Sequence, residues 1–591
     1  MSDRRYTVGV LTDAVHELYQ AGIWQGLTER AAEQGMKLIT LVGTTQDGSA
    51  HFDTGFEERL DFHYQLLADI VVKSNIDAMI LITSPITNMQ GKEYVKRLCA
   101  RFDGRPIVCI AEPVPGYHSV LVDNGSGIES TIEHLVSVHN LRNIAFVKGS
   151  IDHVEAEERY HAYKRGLEAN NRTFRPELVQ EGGFTARHGA DAIKRLLTSN
   201  VEFDGVVAVN DYSAFGAMEE LARNGILVPS EVAITGFDDV AEASMVTPSL
   251  ATVRQPLRDL GRAAIDSVRA QLDNEPVDFS IVLPTMPVHR RSCGCFSKKV
   301  ESSRAIQQQI NGLSSDEVVE HLKRTALTCV KRKAKGYPGD AELRGMLENL
   351  VGSLVWDVQR PVIRNIFLNE VDMLLYRSFE FSDAEQFMHA ILRELTMYVA
   401  SLFGNADQLG EANNLLQQAG TFVREQLAGR GSEEELLRDE FRRRVNITKQ
   451  RMISSFRMKN LLHTLLVGLP ALGIRSHSVA LFENPISPQE WNCPRSYSVL
   501  FAYDTDDDGT MHIVETGEME CGRFFPDSIY SNNRATNRVV MPLHFENMYI
   551  GFAVFEHSTQ GYLFMYEELR SHLSSAISAC LLNQKSGSAN R

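Results

Sequence analysis

The chain has 591 residues, of which 43% are hydrophobic and 23% are charged, a balance typical of a soluble globular protein with several domains. Its formal net charge of −16 disfavours general nucleic-acid binding, so contact with DNA would require a local basic patch. No apolar run is long enough to span a membrane or to form a signal peptide, so we expect a cytoplasmic protein without membrane contact.

From residue 6 onward, short β-branched runs alternate with amphipathic helical stretches. The helical stretches carry apolar residues at helical spacing, as Ile23, Leu27 and Ala31 do. The strand-like runs are YTVGVLT, AMILIT, PIVCIA, SVLV, NIAFVKG, GVVAVN and VAITGFD. Strands that alternate with helices predict parallel sheets covered by helices on both faces, which is an α/β fold.

Polar residues follow several of these strands at the point where each strand ends. Asp13 follows VGVLT, Asn210 and Asp211 follow GVVAV, and Asp238 and Asp239 follow AITGF. A single acidic residue in such a place commonly caps the next helix. Because ligands bind outside the carboxyl ends of parallel strands, several such residues in register predict the lip of a cleft.

The pattern changes after RRSCGCF, near residue 296. Residues 296–430 contain few strand-like runs and predict a helical region. Residues 431–467 predict one charged amphipathic signalling helix, whose apolar positions are Leu437, Phe441, Val445, Met452 and Phe456. This narrow stripe favours a coiled coil and a homodimer over packing of the helix on its own domain.

Strand patterns return from residue 474, with the runs HSVALFE, SYSVLFAYD, MHIVET, RVVMPLHF and YIGFAVFE. A closing helix is predicted from about residue 565 to 582. Antiparallel strands followed by a helix predict a small α+β domain over residues 468–583.

Two patterns resemble metal sites, and neither is interpreted as one. Cys293 and Cys295 are the one close pair among eight cysteines, and C-x-C alone lacks the second pair of ligands that zinc needs, so we expect free thiols. The spacing from Asp504 to Glu515 fits a calcium loop, but strand-like runs on both sides favour an acidic hairpin turn. We therefore predict no metal and no cofactor.

Other motifs that would define a biochemical activity are absent from the sequence. It contains no nucleophile elbow, no P-loop and no metal-binding histidine pair, so an enzyme is not predicted. The densest basic run is Lys331, Arg332, Lys333 and Lys335. No nucleic-acid-reading motif accompanies it, which favours a solvated helix face over a phosphate-binding patch.

Residues 204–264 resemble the signature stretch of the LacI/GalR sensor domain. The shared features are the strand that ends in Asn-Asp, the Ala-x-Gly-Ala helix, the G-x-x-V-P turn, the G-F-D-D run and the P-x-L-x-T-V return strand. Residues 134–149, HLVSVHNLRNIAFVKG, resemble a second marker of that family. The resemblance covers residues 5–292 and implies a two-lobed, periplasmic-binding-protein-like sensor whose ligand lies between the lobes.

The resemblance also implies which side chains bind the ligand, which in that family is typically a sugar, a nucleoside or a purine; for this chain we expect a sugar or a nucleoside. Arg159 matches the arginine that grips ligand hydroxyls, and Asn210 and Asp238 match its polar partners. Phe184 stands where an aromatic ring often covers the ligand, and Gln255 and Tyr19 match more weakly. Alternatively, Arg159 is a solvated helix residue. As a cleft residue outside the core, it is expected to be removable without unfolding the lobe.

The sequence departs from the LacI/GalR pattern at both ends. Repressors of that family begin with a helix-turn-helix, whereas residues 1–5 lead directly into the first strand, so operator binding by that route is not expected. The end of the chain, MPLHFENMYIGFAVFEH…YEELRSHLSSAISACLL, resembles the end of a GAF-like domain, after which related architectures continue into an output domain.

Three hypotheses about function follow. The first is a ligand-sensing regulator that relays the state of its cleft through the helical region to the GAF-like domain and a partner protein, in transcription or signalling control. The second is a transcriptional regulator that contacts DNA itself through the basic patch near residues 323–335. The third, an enzyme in the C-terminal half, has no constellation of residues to support it.

Overall fold

The computed structural model of the chain describes most of the sequence and divides it into two compact units. One unit comprises Met1–Cys295 with Phe441–Arg591, and the other is Phe296–Glu440. No helix in the described ranges is long and apolar enough to cross a membrane. The described residues are 5–15, 18–43, 56–149, 153–295, 314–329, 339–359, 366–381, 383–403, 406–505, 508, 510–524, 536–545, 548–557 and 564–589.

The first half of the chain contains twelve strands in the described residues, and they form two separate parallel sheets and one short ribbon. The strands are β1 Thr7–Thr12, β2 Lys37–Val42, β3 Ala78–Ile82, β4 Ile107–Ile110, β5 His118–Asp123, β6 Ile144–Val147, β7 Val179–Gln180, β8 Gly205–Ala208, β9 Ala233–Thr235, β10 Thr252–Arg254, β11 Ser280–Pro284 and β12 Met286–Val288.

Nine helices of the same described residues cover these sheets. They are α1 Leu18–Glu33, α2 Phe56–Val72, α3 Thr83–Gln90, α4 Lys92–Ala100, α5 Asn124–Ser137, α6 Val154–Ala169, α7 Ala186–Thr198, α8 Asp211–Arg223 and α9 Leu257–Leu272. The predicted helical face of Ile23, Leu27 and Ala31 is buried on α1, as the periodicity indicated.

The two parallel sheets define two lobes. In the first lobe (residues 5–123 and 257–284) the strand order is β11-β5-β4-β3-β1-β2, and in the second lobe (residues 124–254 and 285–295) it is β7-β6-β8-β9. The chain therefore crosses between the lobes three times, after β5, after β10 and after β11. Nearly every strand residue of both sheets is buried except in β5, β7 and β11, because helices lie on both faces. The predicted α/β, periplasmic-binding-protein-like fold is confirmed.

The C-terminal part of the same unit, residues 441–589, forms what we term the C-terminal module. Its strands are β13 Ser476–Ile486, β14 Ser496–Thr505, β15 Met511–Glu520, β16 Asn537–Phe545 and β17 Met548–Glu556. They pair antiparallel in the order β16-β17-β13-β14-β15. The helices Met458–Ala471 and Phe564–Ala589 complete the α+β layout that the sequence predicted.

The C-terminal module continues the sheet of the first lobe. Strand β16 pairs in parallel with β2, with Val540 opposite Leu41, so that one eleven-stranded sheet runs through both. The core below this sheet mixes residues from both parts: Phe62 packs on Tyr549 with ring centroids 4.4 Å apart. The Trp491 indole donates a hydrogen bond to Asp69 at 2.8 Å. The two segments lie far apart in the sequence, so local sequence patterns do not predict that they share one sheet.

The second unit is helical in its described residues, as predicted for residues 296–430. Its helices are Ser315–Cys329, Asp340–Gln359, Ile366–Phe381, Ala384–Leu402 and the first part of Ala406–Ile453. Their buried faces share one core that includes Leu322, Leu347, Leu374 and Ile391. The basic run from Lys331 to Lys335 lies outside the described residues.

The prediction of one continuous helix over residues 431–467 is wrong. A helix ends at Ile453 and a new one begins at Met458. The Ser454 and Ser455 hydroxyls both donate to the Arg451 carbonyl, so the side chains compete with helical backbone bonding at this point. Val445 and Met452 are buried against the module's own helices, whereas Phe456 is 60% exposed.

The acidic segment near Asp504 joins two strands, as the hairpin interpretation expected. Thr505 of β14 stands opposite Met511 of β15 in an antiparallel pair. Strands rather than the helices of a calcium-binding hand therefore flank the turn. Residues 506, 507 and 509, which would complete a calcium loop, lie outside the described residues.

Candidate ligand-binding site

Four of the six predicted ligand-binding residues meet between the lobes. Arg159 lies on α6 and Asp238 follows β9, both in the second lobe. Gln255 lies on a crossover, and Tyr19 lies in the first turn of α1 in the first lobe. The Arg159 Nη1 and Asp238 Oδ1 atoms are 4.0 Å apart, and Gln255 Nε2 donates to the same Asp238 oxygen at 2.7 Å. The carboxyl ends of the strands thus bring distant residues together, as the α/β pattern predicted.

Arg159 is more deeply embedded than the sequence indicated. Only 4% of the residue is exposed, its Nε donates to Asn124 Oδ1 at 2.9 Å, and its Nη1 donates to the Val209 carbonyl at 2.9 Å. The guanidinium lies over the Phe237 ring at 3.7 Å from the centroid. The expectation that this arginine lies outside the core is therefore wrong, because its hydrogen bonds also hold the second lobe together.

Asp238 is the acidic partner of Arg159 in the site. Its φ of +115° is a backbone conformation that non-glycine residues rarely adopt, and such strain is concentrated at functional sites. Burial raises the pKa of the Asp238 carboxyl to about 6, although Arg159 and the Gln255 hydrogen bond act in the opposite direction. The carboxylate is thus ionised at neutral pH but close to protonation.

Three buried polar atoms in this place have no hydrogen-bond partner among the described residues. They are the Tyr19 hydroxyl, Gln255 Oε1 and Glu155 Oε1. The other Glu155 oxygen accepts a hydrogen bond from Ser84 of the first lobe at 3.0 Å, which bridges the two lobes. Since buried polar atoms are nearly always hydrogen-bonded, such a concentration marks a place where a polar ligand can bind.

Asn210 and Phe184 lie together beside this group. Asn210 caps α8 by accepting from the Ser213 amide, and its Nδ2 donates to the Phe184 carbonyl at 3.0 Å. The Phe184 ring packs against His153 with centroids 4.6 Å apart. Arg159 is joined to this pair through Val209, the residue before Asn210. Asn210 uses its polar atoms within the lobe, so it positions the Phe184 loop rather than offering a free amide.

Comparisons with known proteins agree with this architecture. Residues 132–293 match the family model of a periplasmic binding protein-like domain. Catabolite control protein A of Priestia megaterium is 25% identical over 284 residues, which are 48% of this chain and 79% of that protein. The HTH-type transcriptional regulator AscG of Escherichia coli K12 is 32% identical over 163 residues, 28% of this chain and 48% of AscG. The ribose operon repressor of the same organism is 25% identical over 266 residues, covering 45% and 74%.

The first half of the chain contains a LacI/GalR-type ligand-sensor domain. Among solved structures, that of the AscG repressor is 24% identical, with 49% of this chain and 98% of that chain covered and a TM-score of 0.39. The complex of the regulator CelR with cellobiose is 23% identical, with coverage of 49% and 86% and a TM-score of 0.40. AscG and CelR are named as transcriptional regulators, and the ribose relative is named as an operon repressor.

In the LacI/GalR-type domain, two of the strand-end acids serve the fold itself. Asp211 is fully buried, accepts from Thr252 Oγ1 at 2.6 Å and from the Val240 amide at 2.9 Å, and burial raises its pKa to about 8. Asp239 pairs with Arg254 and with Arg290, each at 2.6 Å. These bonds fix the loop after β9 to its neighbours, so a structural role rather than ligand contact accounts for both residues.

The sequence patterns did not indicate three residues of this site, namely Glu155, Ser84 and Asn124. Glu155 precedes Arg159 by four residues and therefore shares its helical face, a signal that was available in the sequence. A cavity of about 400 Å³ opens beside these residues and is lined from both lobes, by Ala111 and Pro113 on one side and Glu155 and Glu158 on the other. A cavity of about 510 Å³ on the second lobe, lined by Met218 and Leu227 among others, lies away from the predicted site.

Proposed function

We propose that the chain is a ligand-sensing regulator that binds a small polyhydroxylated molecule, a sugar or a nucleoside, between its lobes. The observation that carries the proposal is the group of Arg159 and Asp238 with three buried polar atoms that have no hydrogen-bond partner among the described residues. A molecule with several hydroxyls supplies donors to the Asp238 carboxylate and acceptors to Arg159.

The class of ligand rests on the chemistry of the site and on the relatives. One relative is named as the ribose operon repressor, and another regulator has been solved with cellobiose. Phe184, which is partly exposed, supplies an aromatic ring next to the polar group, and such a ring suits the apolar face of a sugar. A ligand that touches both lobes favours their closed arrangement only by its higher affinity for that arrangement.

Transmission to a partner is the second part of the proposal. Because the C-terminal module shares a sheet with the first lobe, the module moves with that lobe when the second lobe changes its orientation. From the sequence we expected a relay that passes from the cleft through the helical region to this GAF-like module. The shared sheet instead supports a direct route from the first lobe to the module. A partner protein in transcription or signalling control would then recognise the module or the helical region.

A homodimer remains part of the proposal. Ile453 and Phe456 at the junction of the two helices that precede β13, and Val467 on the second of these helices, are each more than half exposed. Exposed apolar side chains of this kind can contribute to protein contacts. We expect light scattering to show a dimer at micromolar concentration. A monomer at that concentration would contradict this part of the proposal.

The ligand proposal is tested by a thermal-shift screen of sugars and nucleosides on the full chain, followed by calorimetric titration of any hit. Asp238→Asn preserves the shape of the side chain and removes its charge, so we expect the hit to bind at least about tenfold more weakly. Asp278→Asn, at an exposed position, serves as the matched control and should leave the affinity unchanged. Equal affinity in all three proteins would refute the site.

A further inference from the structure

Away from the ligand cleft, two histidines and two cysteines of the second lobe converge at the end of the sensor domain. We call His134, His139, Cys293 and Cys295 the Cys/His cluster; their ligating atoms all lie within 4.8 Å of one another. The two histidine Nε2 atoms are 3.2 Å apart. Cys295 Sγ lies 3.3 Å from His134 Nε2 and 3.4 Å from His139 Nε2, and Cys293 Sγ lies 3.7 Å from His134 Nε2.

The fold holds both halves of the cluster in place by contacts that do not involve the cluster itself. His134 belongs to α5, and His139 lies in the turn that follows it. Cys293 ends a single 3₁₀ turn that begins at Arg291. The neighbouring Ser292 anchors this turn, because its hydroxyl donates to the Ile234 carbonyl at 2.6 Å and accepts from the Ala251 amide at 2.7 Å.

The residue between the two cysteines is a glycine for two physical reasons. Gly294 has φ of +107°, a left-handed conformation that strains any other residue. A Cβ atom at this position would also come within 2.9 Å of the His139 ring. The glycine therefore lets the chain turn sharply enough for both thiols to reach the same pair of imidazoles. The Cys-Gly-Cys sequence thus has a structural role, which is to bring both thiols to the two imidazoles.

The distances match the edges of a tetrahedral coordination shell. Bond lengths of about 2.3 Å to sulfur and about 2.05 Å to nitrogen give edges of about 3.3 Å between two nitrogens and about 3.6 Å between nitrogen and sulfur. The observed nitrogen–nitrogen distance of 3.2 Å and nitrogen–sulfur distances of 3.3 to 3.7 Å fall at these values. Two imidazoles and two thiolates are a donor set that suits zinc rather than magnesium or calcium.

We propose that the Cys/His cluster binds one zinc ion as a closed structural site. All four coordination positions are supplied by the protein, so the site offers no open position for catalysis. Zinc would join α5 of the second lobe to Cys295, the last described residue before residues 296–313. The ion would thereby fix the point at which the sensor domain leads into the chain's helical region.

The cluster also admits two arrangements without metal. The Cys293 thiol lies 3.1 Å from the Arg290 carbonyl and can donate to it, and His134 stacks on His289 with ring centroids 3.6 Å apart. These contacts describe a hydrogen-bonded thiol–imidazole group. Alternatively, Cys293 and Cys295 could be joined by a disulfide. Both arrangements leave the protein without bound zinc, so metal analysis separates them from the proposal.

The test uses the untagged full chain, purified under reducing conditions without chelators. We expect about one zinc per chain by elemental analysis, and X-ray absorption should show two sulfur and two nitrogen ligands at about 2.3 Å and about 2.0 Å. This spectrum requires no variant, so a variant that fails to fold cannot obscure the result. Wild-type protein without zinc, or with a Cys293–Cys295 disulfide, would overturn the proposal, as would a shell of oxygen ligands.

Variants then assign the ion to the cluster. His139→Gln and Cys295→Ser should each lose at least about nine-tenths of the zinc, because removal of one of four ligands opens the shell. Cys580→Ser and His389→Gln, which alter a buried cysteine and a half-buried histidine outside the cluster, should retain it. Zinc retained by both cluster variants would identify an adventitious ion only and would refute the assignment.

Discussion

The two lobes of the sensor have the same architecture, but their sheet edges differ in what they contact. The sheet of the first lobe continues through β2 and β16 into the C-terminal module, whereas the four-stranded sheet of the second lobe ends within that lobe. The second lobe instead holds Arg159, Asp238 and the Cys/His cluster. The comparison indicates a division of labour: the first lobe carries the C-terminal module, and we propose that the second lobe anchors the ligand.

The largest effect should come from loosening the contact between the first lobe and the module. Trp491→Ala removes an indole that bonds Asp69 and packs on Phe62, and should lower the free energy of unfolding by about 3 kcal/mol. Hydrogen exchange should accelerate in β1–β4 of the first lobe and remain unchanged in β6 and β8 of the second. Trp356→Ala, at a residue 47% exposed in the helical unit, is the control.

Arg159→Ala should affect both binding and stability. We expect at least tenfold weaker binding of the hit from the screen, together with a loss of about 2 kcal/mol in stability. The stability loss arises because Asn124 and the Val209 carbonyl lose a buried donor. Calorimetric titration and chemical denaturation measure the two effects. Wild-type affinity in this variant would remove Arg159 from the ligand site and leave it as a structural residue of the second lobe.

Ligand affinity should depend on pH through Asp238. Its pKa in the folded protein is raised to about 6, so the carboxylate that accepts ligand hydroxyls becomes protonated below that pH. Binding should be about tenfold weaker at pH 5 than above pH 7. Asp238→Asn should show no such step between these values, which separates Asp238 from Asp211 and Glu155 nearby. An identical pH profile in the variant would assign the step to another group.

The same shift predicts the sign of a stability effect in the ligand-free protein. The folded carboxyl of Asp238 binds a proton at a higher pH than the unfolded one, whose pKa is near the ordinary aspartate value of 3.8. The stability that Asp238 contributes is therefore fully present below about pH 4 and is lost as the pH rises through about 6. Asp238→Asn should be more stable than the wild type at pH 7, as measured by denaturation.

The smallest effect should come from the aromatic side of the cleft. Tyr19→Phe removes a hydroxyl that is buried without a hydrogen-bond partner among the described residues, so the ligand-free protein should be equally stable or slightly more so. Affinity for a ligand that bonds this hydroxyl should fall by about fivefold, since one neutral hydrogen bond is worth about 1 kcal/mol. Unchanged affinity would place the ligand away from the first lobe.

Much of the fold and part of the site followed from local patterns. Strand runs such as NIAFVKG and GVVAVN predicted buried parallel strands, and the register of the LacI/GalR-like stretch brought Arg159, Asp238 and Gln255 together. The depth of Arg159 did not follow, because its partners Asn124 and Val209 lie 35 and 50 residues away. The helix break at Ser454 depends on hydrogen bonds from serine hydroxyls to a backbone carbonyl, and the spacing of apolar residues carries no information about such bonds.

Pairings across hundreds of residues were beyond the sequence. Strand β16 joins β2, which precedes it by about 500 residues, and neither strand differs in pattern from its neighbours. Likewise, the sequence shows Cys293 and Cys295 as a lone C-x-C pair. In the fold, His134 and His139, from about 150 residues earlier, lie beside this pair. Only the tertiary structure turns these separate motifs into one four-ligand cluster.

Distances measured with and without ligand test the division of labour most directly. Spin labels at the exposed positions Glu93 of the first lobe, Arg187 of the second lobe and Ile513 of the module allow pulsed electron paramagnetic resonance. Addition of the ligand found in the screen should shift the Glu93–Arg187 distance and leave the Glu93–Ile513 distance unchanged. A shift in the Glu93–Ile513 distance, with the Glu93–Arg187 distance constant, would contradict the account.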